Sequence, residues 1–134
     1  MQGQLAAAQQ SMNSQNLMTL VGFLQSEDVR EARGVVIKSL RTKSLSDWDE
    51  ADKRAASLAC SSYDIAAIMI RLGGVPAKPI TDNWAPSIRT CYEVVRPWIE
   101  EMQKPENAGP AYLDDFGWLY SKVRASATTS ARDT

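Results

Sequence analysis

The sequence predicts an all-α fold, a single helical bundle of about five helices around a long buried central helix. Three observations support this. From Ala55 to Ile70 the chain runs for sixteen residues with one charge, Asp64, inside a helical pattern that opens at Ser46 and stops at Gly73 and Gly74. A helix apolar on nearly every side is normally surrounded by other elements. On either side of it apolar residues recur at three- and four-residue intervals, and no strand-like alternation is found. The 134 residues, 44% hydrophobic and 23% charged, suit one globular domain that hides roughly two-thirds of its unfolded surface.

Taken in order, residues 1–15 are rich in Gln, Ala and Ser and form a flexible N-terminal segment that frays or extends the first helix. Leu17, Leu20, Val21 and Leu24 then mark a short helix near 13–25. Ser26 is placed to cap a second helix over about 27–41, with Glu27 and Asp28 in its first turn, where the helix dipole favours negative charge. Val29, Ala32, Val36 and Leu40 make its apolar stripe. Gly34 in its middle reflects either close contact with a neighbour or tolerance on an exposed face.

The third helix is expected to open at Ser46. Trp48, Ala51, Ala55, Leu58, Ser62, Ile65, Met69 and Leu72 form one seam, and Ala56, Ala59, Tyr63, Ala66 and Ile70 a second beside it. Many of these residues are small, so neighbouring helix axes approach closely. Gly73 and Gly74 supply a left-handed end. After a connector holding Pro76 and Pro79, the fourth helix starts around 83–86, with a kink or break expected at Pro97. A last helix over about 110–124 carries Tyr112, Phe116, Leu119 and Val123 on one face. The helical domain thus spans 16–125, followed by a disordered tail over 126–134.

Composition narrows the chemistry. Formal net charge is −1, from 15 basic and 16 acidic residues spread along the chain, so no field steers it onto nucleic acid. The absence of histidine removes Ser-His-Asp and Cys-His nucleophile pairs and the usual zinc and di-iron ligand sets. Cys60 and Cys91 fall on apolar faces and read as buried free thiols, too few for a disulfide framework. No metal site or cofactor is expected. The N-terminus lacks the basic region of a secretory signal, and the run from Leu17 to Leu24 is far short of a span of about 20 residues. These features lead us to expect a cytoplasmic protein with no membrane span.

Seven residues stand out as candidates for binding a ligand or partner. Asp64, a carboxylate on a mostly apolar helix, needs a structural bond to Arg30, Arg33 or Arg89, a solvated stripe with Ser57, Ser61 and Arg71, or a ligand. Arg30 and Arg33, on adjacent turns, suit a phosphate or carboxylate, or pair with acids such as Glu27. Trp84, Arg89 and Tyr92 combine aromatic surface with a cation; they either anchor a partner or close the bundle end, with Arg89 pairing to Glu93. Tyr63 offers a ring for stacking. The acidic groups at Asp47, Asp49, Glu50 and Asp52, and at Asp114 and Asp115, lie in first helical turns, where negative charge is stabilising by itself. No Gly-rich phosphate loop is present, and Ser61 and Ser62 lack a partner base.

Four segments, FLQSEDVREARGVV, SSYDIAAIMIRLGGVP, DNWAPSIRTCYEVVRPWIEE and DFGWLY, resemble a family of short bacterial and phage-borne helical proteins known only as a domain of unknown function. The likeness covers about 23–120 and rests on Arg30-x-x-Arg33, Tyr63-Asp64 and the Trp84, Arg89, Tyr92, Pro97 block. It implies a compact all-helical domain and transfers no activity or catalytic residue. Some members carry an N-terminal membrane segment, where this chain has a polar Gln/Ser-rich start. The functional expectation is a non-enzymatic interaction or regulatory module that binds a protein partner or forms a homo-oligomer through a helical face or the Trp84 end. The alternative is a binder of a small anionic ligand such as a nucleotide, held by Arg30, Arg33 and Arg89 with Tyr63 or Trp84 stacking. A histidine-free, Mg²⁺-dependent enzyme is a third reading.

Overall fold

The computed structural model describes the backbone of residues 2–133 and the side chains of residues 3–126. Five helices account for most of the chain: α1 (Gln2–Leu24), α2 (Glu27–Lys38), α3 (Glu50–Arg71), α4 (Ala77–Met102) and α5 (Asp114–Asp133). There is no strand among the described residues. Two short 3₁₀ turns, Leu40–Thr42 and Leu45–Asp47, carry the chain from α2 to α3. Of the segment 126–134 expected to be disordered, the side chains of residues 127–134 lie outside the described residues.

The helix ends obey local chemistry, though not always at the expected residue. Ser46 sits inside a 3₁₀ turn, and α3 instead starts behind Asp49. A reciprocal capping box explains the shift: the Asp52 amide donates to Asp49 Oδ1 at 2.8 Å, and the Asp49 amide donates to Asp52 Oδ2 at 3.1 Å. Lys43 Nζ adds an ion pair to the same oxygen at 3.0 Å. At the other end Gly73 adopts φ +80°. The Gly74 amide then reaches Met69 O and the Gly73 amide Ile70 O, each at 3.0 Å, which satisfies carbonyls the helix leaves open.

α4 begins earlier than its sequence suggested, at Ala77, because Pro79 falls in the first turn, where a missing amide costs nothing. It runs unbroken through Pro86 and Pro97, so the break considered at Pro97 does not occur. Both prolines are exposed, which leaves the carbonyls four residues back open to water. α5 starts at Asp114, after a turn in which Gly109 and Leu113 take positive φ. A methyl group built on Gly34 would meet nothing within 4 Å; no close contact requires that glycine.

α3 is central, packing against α1, α2, α4 and α5. Its two apolar seams, both expected inside, differ in burial. Ala56, Ala59, Cys60, Tyr63, Ala66 and Ala67 are fully buried, and their small side chains let the neighbours approach closely. Large residues of the other seam, Leu58, Ile65 and Leu72, are exposed. Tyr63 and Phe116 stack in the core, with centroids 5.7 Å apart; Tyr92 meets Phe116 edge-on at 5.2 Å and stacks on Tyr120 at 4.2 Å.

Candidate interaction surface

The outer face of α3 is an exposed apolar surface on the central helix. Leu58, Ile65, Ile68 and Leu72 are 38%, 43%, 37% and 81% exposed. With Ser61 they recur at intervals of 3, 4, 3 and 4 residues, a heptad stripe that a straight helix holds on one side. Between Leu58 and Leu72 this stripe carries no charge. On one flank, Ile65 and Met69 meet Thr19, Leu20 and Phe23 of α1 around a shallow cavity of about 240 Å³. Toward the start of α3, Ala55 and Leu58 border a second groove of about 310 Å³ with Ala32 and Val35 of α2, rimmed by Asp28, Glu31 and Arg54. On the other flank the α5 ring of Trp118 lies beneath Arg71, 5.0 Å away, and Lys122, 5.2 Å away. Arg71 also donates to Asp115 Oδ1 at 2.9 Å. An apolar strip framed by polar residues is the usual anatomy of a docking surface.

The residues singled out in the sequence do not converge on one place. Asp64 is bonded to none of Arg30, Arg33 and Arg89; its structural partner is a backbone group, the Phe116 amide, which donates to Asp64 Oδ1 at 2.8 Å. Phe116 is the third residue of α5, so a carboxylate from α3 caps the next helix across the packing interface. Burial pushes the Asp64 carboxyl above its ordinary range; the Phe116 amide pulls the other way, and Asp115 and Asp114 push it up further. Arg33 and Tyr63 are brought together, with the guanidinium 5.8 Å from the ring centroid. Arg33 is only 8% exposed and its Nη1 is buried with no hydrogen-bond partner.

Tyr63 is sealed in the core and its hydroxyl donates to Ser87 Oγ at 2.6 Å; burial pushes its pKa up to about 12. The thiols of Cys60 and Cys91 are free and buried, as expected. Burial raises both, Cys91 to about 11. Such thiols are inert.

Arg30 is exposed where Arg33 is buried. It lines an open groove of about 900 Å³ with Glu27, Glu31, Gly34, Val35, Lys38 and Ser39, where acids and bases balance. The ion pair to Glu27 is not formed among the described residues. Glu93 accepts the Tyr120 hydroxyl at 2.9 Å instead of pairing with Arg89. Tyr92 belongs to the aromatic stack, under Arg96 at 5.1 Å. Trp84 is half-buried against the core.

Sequence reasoning missed the outer stripe because it assigned Leu58, Ile65 and Leu72 to the core and Ile68 to neither seam. The available signal was side-chain size: the alanine-rich seam suits tight packing, which leaves the large residues opposite without a place inside. No group of three or more Cys, Asp or Glu is arranged to hold a metal ion among the described residues. No helix there is long and apolar enough to cross a membrane.

A family model described as a domain of unknown function, DUF4760, matches residues 4–123. No curated protein and no solved structure matches the chain. The match reaches from α1 into the first half of α5 and includes the whole outer stripe of α3, and the chain belongs to the DUF4760 family.

Proposed function

We propose that this protein is a non-enzymatic helical interaction module that docks a partner helix along the outer face of α3. The observation that carries the reading is the charge-free stripe of Leu58, Ile65, Ile68 and Leu72, left exposed although the bundle's core is complete without it. Large aliphatic side chains at this spacing match the knobs of a second helix. The polar residues that suggested other chemistry support the same reading, since Asp64, Tyr63 and Tyr92 are engaged in holding helices together. A photoreactive phenylalanine analogue at position 68, expressed in host cells, tests it. Discrete covalent adducts are expected from position 68 and none from exposed position 106; no adduct from either would set the reading aside.

One observation favours an anionic ligand as a second reading. The Arg33 guanidinium is buried, faces no carboxylate within ion-pair distance and leaves Nη1 unpartnered. A phosphate or carboxylate reaching it would gain a charge-assisted hydrogen bond. Thermal unfolding with nucleotides and inorganic phosphate tests this, because a tight binder at saturating concentration stabilises by a few kcal/mol. A shift that disappears in Arg33→Met would support it.

A further inference from the structure

We infer that the stripe on α3 is covered by the N-terminal half of α1 from a second copy of this chain, each copy lending its arm to the other. The inference rests on the interaction-module reading and names its partner. α1 runs antiparallel to α3: Asn16 donates to Gly74 O at 3.1 Å, and Thr19, Leu20 and Phe23 meet Ile65 and Met69. Residues before Asn13 therefore project past the end of α3 marked by Leu72, and every one of them from Gly3 on is exposed. This half of the 23-residue α1 is exposed all round, and helical turns without a packed face gain little stability in water. It needs a surface to lie on.

Three features point to the α3 stripe of a second copy. The arm carries no charge, since the first charged side chain of the chain is Glu27; covering an apolar stripe with it buries no ion. Leu5 and Met12 are exposed, seven residues apart on one face, and so match the seven-residue repeat of Leu58, Ile65 and Leu72. At 1.5 Å per residue the segment 2–15 and the stripe 58–72 each extend about 20 Å. A two-fold that sets the two Leu72 ends toward each other lays each arm along the other copy's stripe, with Met12 near the partner's Ile68. Stable dimers bury about 800 Å² per partner, and in this arrangement each copy contributes both an arm and a stripe to the interface. A lipid surface fits less well, because the arm has no Lys or Arg for headgroups and carries Gln and Asn around its circumference.

Light scattering of the full chain over a concentration series, combined with paired cysteines, tests this. We expect a dimer whose dissociation constant rises at least tenfold in Leu5→Ser/Met12→Ser and in Ile65→Glu/Ile68→Glu, with helical circular dichroism falling on dilution as arms are released. Mixing Met12→Cys chains with Ile68→Cys chains under oxidising conditions should give a cross-linked heterodimer, and neither variant alone should cross-link. The native thiols are fully buried and do not compete. A dimer in which Ile68→Cys links to itself would overturn arm exchange while leaving the α3 face as an interaction surface. Met12→Cys linking to itself would also overturn it. A strict monomer, or one that sediments with phosphatidylcholine vesicles through α1, overturns it as well; adducts from position 68 in cells then decide separately whether the module reading stands.

Discussion

The two faces of α3 have similar hydrophobicity and opposite roles. On the inner face Ala56, Ala59, Ala66 and Ala67 are fully buried, although each contributes a single methyl group. On the outer face Leu58, Ile65, Ile68 and Leu72 carry the greater apolar bulk and stay in contact with solvent. Residue size therefore runs against burial on this helix. What decides burial is how closely α2, α4 and α5 approach, and small residues permit that approach. The large residues opposite are flanked only at their edges, Ile65 by α1 and Leu58 by α2, and stay open on their outer side. A helix that holds a fold together on one side and offers aliphatic side chains on the other links folding to association.

Each substitution below asks whether the inner face behaves as core and the outer face as surface. The largest effect is expected at Phe116, which α5 presses against Tyr63 and Tyr92 on the inner side. Phe116→Ala should cost about 3–5 kcal/mol in chemical denaturation; a loss below about 1 kcal/mol would show that the inner aromatic packing contributes little. Ala66→Leu overfills a fully buried position on α3 and should cost about 1–3 kcal/mol, measured in the same way.

Asp64→Ala removes the cap on α5 and should cost about 1 kcal/mol. Asp64→Asn keeps an acceptor and separates the cap from the charge. Because the folded carboxyl titrates above its ordinary 3.8, its neutral form is the one favoured by folding. Its stabilisation is full below pH 3.8 and lost as pH rises through the raised folded value. The stability of Asp64→Asn relative to wild type should therefore increase across that window and level off above it; a difference that is flat in pH would contradict the burial of this carboxyl. Arg33→Met should change stability least among the inner residues, and in the stabilising direction, since it removes a buried cation without a counter-charge. A marked loss on thermal unfolding would mean that Arg33 has a partner in solution.

Much of this architecture is readable in the sequence because its causes are local. The helical periodicity, the Gly73 and Gly74 stop and the buried thiols follow from spacing and residue type alone. The start of α3 was misplaced because Ser46 and Asp49 are both good caps, and only the reciprocal bonds with Asp52 favour the second. The start of α4 was misplaced because Pro79 reads as a connector until its place in the first turn is known. Asp64 illustrates the wider limit. A lone carboxylate on an apolar helix announces that it needs a partner, but the partner is a backbone amide fifty-two residues away, which no side-chain pattern reveals. The exposure of the Leu58, Ile65 and Leu72 seam has the same origin, because periodicity places residues on faces and leaves open which face the rest of the chain will cover.

The central claim, that α3 has one face committed to the fold and one left for docking, is tested most directly at two adjacent residues. Ala67 is fully buried and Ile68 is 37% exposed. Unfolding of Ala67→Glu and Ile68→Glu should be compared by denaturant titration in dilute solution, where no dimer contributes. Ala67→Glu is expected to lose at least about 3 kcal/mol by burying an unpaired charge, and Ile68→Glu to stay within about 0.5 kcal/mol of wild type. Comparable losses from both would show that the outer stripe is core, and would contradict the account.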